Sequence, residues 1–333
     1  MRVFKRRISA FGKHALAGGI VAAALTAPLL AAQAAGYPER TITIVACFPA
    51  GGGTDVAMRM INTQLGEALG KAVVVENRAG AGGNIGIATV ARAKSDGYTL
   101  LGCSSAFVVN PSLYAHVSYD AKKDFIPLML IGSSPNVFVV PGKSNITSMK
   151  QFLAEAKANP GKLNWTSPGL GTTPQLAGEL LKLRTGINMV HVPFTGAGPA
   201  MNAVLAGQVD MYAANYGSVS SLIKGGQVRA LAVTADKRWS DIPDVPTLDE
   251  LGITDADTDT FQALFAPAGT PKEAIDKLSS ALKQVLSRPD VRARYDKIGL
   301  PVAATGPAEF KPIVARQLAM YREIIDKAQL KVK

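Results

Sequence analysis

The chain is poor in most of what chemistry needs. Two cysteines, Cys47 and Cys103, and three histidines among 333 residues leave no Cys/His cluster with metal-ligand spacing. Aromatics make up only 6% and no Lys/Arg run marks a nucleic-acid surface. There is no Gly-x-Ser-x-Gly nucleophile elbow. Neither glycine-rich segment has the Gly-x-Gly-x-x-Gly spacing of a dinucleotide site, and Thr54-Asp55 stand where a P-loop needs Gly-Lys-Ser/Thr. Beyond residue 32 no run is long and apolar enough to span a membrane.

What is there begins with a basic segment. Arg2, Lys5, Arg6, Arg7 and Lys13 precede an uncharged Ala/Leu-rich run over 15–32, then Ala32-Gln33-Ala34, a small-x-small pattern. This predicts a secretory signal peptide over 1–34, cleaved near Ala34, and a periplasmic location. The rival reading, a membrane anchor, is weakened by Gly18, Gly19 and Pro28 in an Ala-dominated run. The net charge of +11 falls to +6 without the five basic residues of this segment. About 300 mature residues call for two domains.

The chain is organised around Phe48-Pro49-Ala50-Gly51-Gly52-Gly53-Thr54-Asp55, between a strand pattern at 42–46 and a helical pattern with Met58, Ile61 and Leu65 on one side. Glycines let a ligand approach the backbone, and a helix start offers unpaired N–H donors and a positive dipole end. Such a turn reads as a site for a small anion, or as a plain connector. Further strand patterns fall at 73–76, 98–102, 136–140, 163–166, 189–192, 209–213, 228–234 and 261–266. Helical patterns fall at 85–93, 147–157, 174–184, 199–206, 272–286 and 307–328. The first hundred residues therefore read β-α-β-α-β, a parallel unit.

Strand, small polar loop and helix recur at five places: 48–55, 104–107, 166–173, 193–198 and 214–218. None of these loops holds Lys or Arg. If they converge, the anion is held by main-chain donors, hydroxyls and helix starts. Cys47 and Cys103 each end a strand pattern. In an oxidising compartment they form a disulfide if those strands are neighbours, or two buried thiols otherwise.

Many motifs carry a family resemblance. They include Tyr37-Pro38-x-Arg40, the stretch 48–55, Val75-Glu76-Asn77-Arg78, Asp96-Gly97-Tyr98, Lys123-Asp124-Phe125, Pro160-Gly161-Lys162, His191-Val192-Pro193-Phe194, Gly207-Gln208-Val209-Asp210, Asp244-Val245-Pro246-Thr247 and Ala266-Pro267-Ala268-Gly269-Thr270-Pro271. In this order, across the mature chain, they resemble the Bug family, the periplasmic substrate-binding proteins of tripartite tricarboxylate transporters. The resemblance implies an α/β, two-lobed type II periplasmic binding protein fold of the Venus-flytrap kind, with mixed, mostly parallel sheets. Lobe one would be 36–138 plus 259–333, and lobe two 139–258. It implies a solute-binding protein that captures a di- or tricarboxylate or an aromatic acid and delivers it to a two-component membrane permease. With the residue-level absences above, the expectation is no enzyme, no cofactor, no metal, no nucleic acid and a monomer. Cys47, Gln175, Phe261 and Ala214 depart from the family's frequent Pro, His, Trp and Asp. The missing Asp before Asn215 turns the expectation away from amino acids.

The expected site comprises Phe48, Ala50, Gly51, Gly52, Thr54, Asp55, Ser104, Ser105, Gly169, Gly171, Thr172, Phe194, Thr195 and Asn215. Asp55 is most simply a residue that complements the helix dipole. Two other classes stand beside transport: a ligand sensor that docks on a membrane kinase, and a hydrolase of a carboxylate ester. The hydrolase lacks an evident base, since His116 and His191 are the mature chain's two histidines and only His191 falls near the expected cleft.

Overall fold

The computed structural model describes residues 36–194 and 196–332. The signal-peptide segment and Thr195 lie outside the described residues. The first stretch runs β1 (Ile42–Ala46), α1 (Gly53–Arg59), α2 (Asn62–Leu69), β2 (Val73–Asn77), α3 (Asn84–Ala91), β3 (Thr99–Ser104), α4 (Ala106–Leu113) and β4 (Phe125–Ser134). The second runs β5 (Asn136–Pro141), α5 (Met149–Ala158), β6 (Asn164–Ser167), α6 (Thr173–Thr185), β7 (Val190–Pro193), α7 (Ala197–Leu205), β8 (Met211–Asn215), α8 (Tyr216–Lys224) and β9 (Val228–Val233). The last runs β10 (Thr260–Pro267), α9 (Lys272–Ser287), α10 (Pro289–Lys297), β11 (Val302–Thr305) and α11 (Pro307–Lys327).

Two mixed sheets result. One has the order β11-β4-β10-β3-β1-β2, the other β7-β6-β8-β5-β9. β1 lies between β2 and β3, parallel to both, while β10 pairs antiparallel to β3 and β4. The chain leaves the first sheet between Ser134 and Asn136 and returns to it at Thr260. These two passages join the lobes.

Local chemistry explains most elements. Alternation in β1 buries Ile42 and Ile44. In α9, Ile275, Leu278, Leu282 and Val285 recur at helical spacing and are buried. Ser148, Thr172 and Asn215 cap α5, α6 and α8, each accepting a main-chain N–H from the first turn. Gly70 and Gly186 close α2 and α6 in the left-handed conformation.

The helical pattern after the glycine turn breaks into α1 and α2, yet Met58, Ile61 and Leu65 are all fully buried as its spacing predicts. The sequence pattern carries no strand at 125–134. β4 nevertheless pairs with both β10 and β11 there, and Pro127 sits where its register against β10 shifts. A proline that removes a ladder donor is tolerated at such an irregularity. α11 packs on α4, β4 and α6. It therefore touches both lobes, and Arg184 of α6 pairs with its Glu323 at 2.9 Å.

Candidate functional site

β1 and β3 are neighbours in register, Ala46 beside Gly102. The next residues, Cys47 and Cys103, are joined in a disulfide. This ties the glycine turn to the Ser104–Phe107 turn at their roots.

The glycine turn is braced from behind. Gly51, at φ +79°, adopts a backbone shape that favours glycine. Its N–H donates to Asp55 Oδ2 at 2.9 Å. Asp55, only 3% exposed, also accepts from Arg59 Nε at 2.9 Å and from Asn77 Nδ2 at 2.8 Å. Asn77 reaches on to the Phe48 carbonyl. Burial opposes ionisation of Asp55, but the Gly51, Asn77 and Arg59 donors outweigh it and hold the carboxyl below its ordinary value. The carboxylate is a strut of the turn, which is more than the dipole partner expected of it. Thr54 is likewise engaged, its hydroxyl donating to buried Gln262 Oε1 at 2.9 Å.

A cavity of about 370 Å³ lies between the lobes. Phe48, Ser104 and Ser105 line it from lobe one, and Gly171, Thr172 and Asn215 from lobe two. Four of the five expected turns thus meet. Ala50, Gly51, Gly52, Thr54, Asp55, Gly169 and Phe194 do not line it. Gly169 sits behind, where an added Cβ would stand 3.2 Å from the Phe194 carbonyl. The Phe194 ring packs against the Tyr212 and Val204 cluster of lobe two. The turn at 193–198 supports the 168–173 turn from outside, Gly196 N–H donating to the Pro168 carbonyl at 2.7 Å.

Sequence reasoning missed α4, which supplies Ala106, Val109, Asn110 and Leu113, and it also missed Tyr114, Leu170, Thr173 and Thr260 of the wall. Pro111 inside α4 hid the helix. Thr173 and Thr260 carry no short-range signal, since their pairing across the cleft is what marks them. Gly171, at φ +75°, lies where an added Cβ would collide with Leu113 Cδ2, so the lobes meet there backbone to side chain. Ser105, buried, donates to the Asp259 carbonyl at 3.2 Å and accepts the Phe261 N–H at 2.9 Å. It therefore ties the cavity wall to the returning passage. Among the described residues, none that lines the cavity is Lys, Arg, His, Asp or Glu.

His191 is placed elsewhere. Its Nε2 lies 2.9 Å from the hydroxyl of buried Ser167, and its ring lies 4.3 Å from that of Trp165. Burial, with a smaller push from Lys182, brings its pKa down to about 4. It does not line the cavity.

Residues 57–330 match the model of the tripartite tricarboxylate transporter family receptor. This chain belongs to that family. Protein BugT of Bordetella pertussis is 35% identical over 317 residues, covering 94% of this chain and 96% of its own. A protein encoded in the tcbD-tcbE intergenic region of Pseudomonas sp. strain P51 is 36% identical over 315 residues, 94% of each chain. Among solved structures, a TctC solute-binding protein from Polaromonas superposes with a TM-score of 0.81 at 29% identity, covering 88% of this chain and 100% of that one. Two proteins of Rhodopseudomonas palustris, one solved with adipate and one with bound malate, give TM-scores of 0.71 and 0.69 at 30% and 29% identity. They cover 88% and 87% of this chain, and 99% and 100% of their own. The family is one of solute-binding receptors, and the fold is its two-lobed α/β architecture. No helix among the described residues is long and apolar enough to cross a membrane.

Proposed function

We propose that this family receptor is exported, captures a small organic carboxylate in the interlobe cavity, and hands it to a two-component membrane permease. The carboxylates in question are di- or tricarboxylates and aromatic acids. One observation carries the reading: hydroxyls and helix starts of both lobes converge on a cavity that, among the described residues, no charged side chain lines. Such a wall holds an anion through fixed dipoles and releases it when the lobes part, because no ion pair must be broken. Two family relatives carrying adipate and malate support the carboxylate class. Among the described residues, no histidine or carboxylate is hydrogen-bonded to a cavity-lining hydroxyl, which favours a binder over a hydrolase.

The test is thermal unfolding of the mature chain against a panel of organic acids. A ligand at 100 times its Kd stabilises by about 2.7 kcal/mol, so a hit raises Tm by several degrees. The acid should be recovered chemically unchanged. No shift with any acid, or turnover of one, defeats the proposal.

A further inference from the structure

We infer that the cavity takes an acid with one carboxylate on an apolar body, in preference to a di- or tricarboxylate. This rests on the reading of the cavity as an acid site and narrows it.

Three observations lead there. The first is charge. Among the described residues no cationic side chain lines the cavity, so a second carboxylate lowered into it would lose water and gain no counter-charge from them.

The second is a count of donors. Ser105 spends its hydroxyl on the Asp259 carbonyl, Thr172 on the Gly169 carbonyl, and Asn110 both amide hydrogens on the Gly82 carbonyl and Asn84. Among the described residues, the lining side chains then keep four uncommitted hydrogens. These are the Ser104 hydroxyl, the Tyr114 hydroxyl, one of the Thr173–Thr260 pair, and the second amide hydrogen of Asn215, whose other one reaches the Ser134 carbonyl. One carboxylate offers about four acceptor positions, so these four side-chain hydrogens match one such group.

The third is the rest of the wall. Leu113 and Val109 of α4 face the cavity from lobe one, and Pro168, Leu170 and Pro174 from lobe two. Carbon therefore lies on both sides of the gap. Leu170 is 64% exposed, and an apolar ligand against it would remove that surface from water. The adipate- and malate-bearing relatives hold dicarboxylates, so the inference separates this chain from them.

The experiment is titration calorimetry on the mature protein at fixed pH and ionic strength. The probes are benzoate, cyclohexanecarboxylate and 4-methylpentanoate against succinate, malate, adipate and citrate. The expected result is a monocarboxylate bound at least about tenfold tighter than every polycarboxylate. Leu170→Ser should weaken that monocarboxylate about tenfold, with the Tm of the free protein unmoved because the side chain is exposed. Equal or tighter binding of a polycarboxylate overturns the inference and leaves the receptor reading standing. So does undiminished affinity in Leu170→Ser. A panel in which no acid binds overturns both.

Discussion

Asp55 shows how much one carboxylate does when its neighbours are backbone. It holds the Gly51 N–H, Asn77 and Arg59 at once, almost out of contact with water. Asp55→Ala would orphan these donors, at about 1–3 kcal/mol for each that stays buried, and loosen the turn. We expect a clear fall in urea midpoint together with weaker binding of whatever acid the wild type takes. The pH dependence follows from the sign of its shift. A carboxyl held below its ordinary value contributes stability that is present above the unfolded-state pKa and lost as pH falls through the folded one. Wild-type stability should therefore drop on acidification below about pH 4, and Asp55→Asn should drop less steeply. Unfolding midpoints measured from pH 7 to 3 check this, and parallel curves for the two proteins would refute it. The sequence showed Asp55 in the first turn of a helix, but the bond to Gly51 required the turn to fold back on itself.

At the level of elements, the two passages between the lobes share one buried polar cluster. Asn136 Nδ2 donates to the Thr258 carbonyl at 2.6 Å, and the Asn136 N–H donates to Thr234 Oγ1 at 2.9 Å. Thr234 in turn donates to Asp259 Oδ1 at 2.8 Å. Burial first, then the neighbouring Asp257 carboxylate, push Asp259 up to about 8 against the pull of Thr234. A carboxyl raised in this way keeps its proton to higher pH in the fold than in the unfolded chain. Its contribution to stability is full below the unfolded-state value near 4 and is lost as pH rises toward 8. Asp259→Asn keeps the acceptor for Thr234 without the charge. We expect it to be more stable than wild type at pH 8.5 and to lose less stability between pH 5 and 8.5. Denaturant unfolding at the two pH values decides the matter, and a wild-type advantage at pH 8.5 would sink it. No sequence pattern marks Asp259, because its burial comes from packing that involves residues more than a hundred positions away.

For the molecule as a whole, the Cys47–Cys103 bond closes a loop of 56 residues inside lobe one. Restricting the unfolded chain by that much is worth roughly 4 kcal/mol in the chain-entropy model. The double variant Cys47→Ser/Cys103→Ser should lose about 2–4 kcal/mol and unfold several degrees lower, while still binding ligand where it stays folded. Equal Tm for the oxidised wild type and the double variant would show that the cross-link adds nothing. α11 works on the same scale. Its contacts with α4, β4 and α6 and the Arg184–Glu323 pair run from one lobe to the other.

Strand and helix periods, capping residues and glycine turns depend on neighbours a few positions away. Those features of the chain, including the β-α-β-α-β start and the amphipathic α9, were therefore open to reading from the residues alone. So was the absence of Lys and Arg from the loops that form the cavity. What lines that cavity was settled only in three dimensions. The proline-bearing α4, Tyr114 and Thr260 entered the wall, while Thr54, Asp55 and Phe194 turned to supporting contacts. The reason is physical: a side chain near a strand end can point into the gap or back into its own lobe, and long-range packing makes that choice.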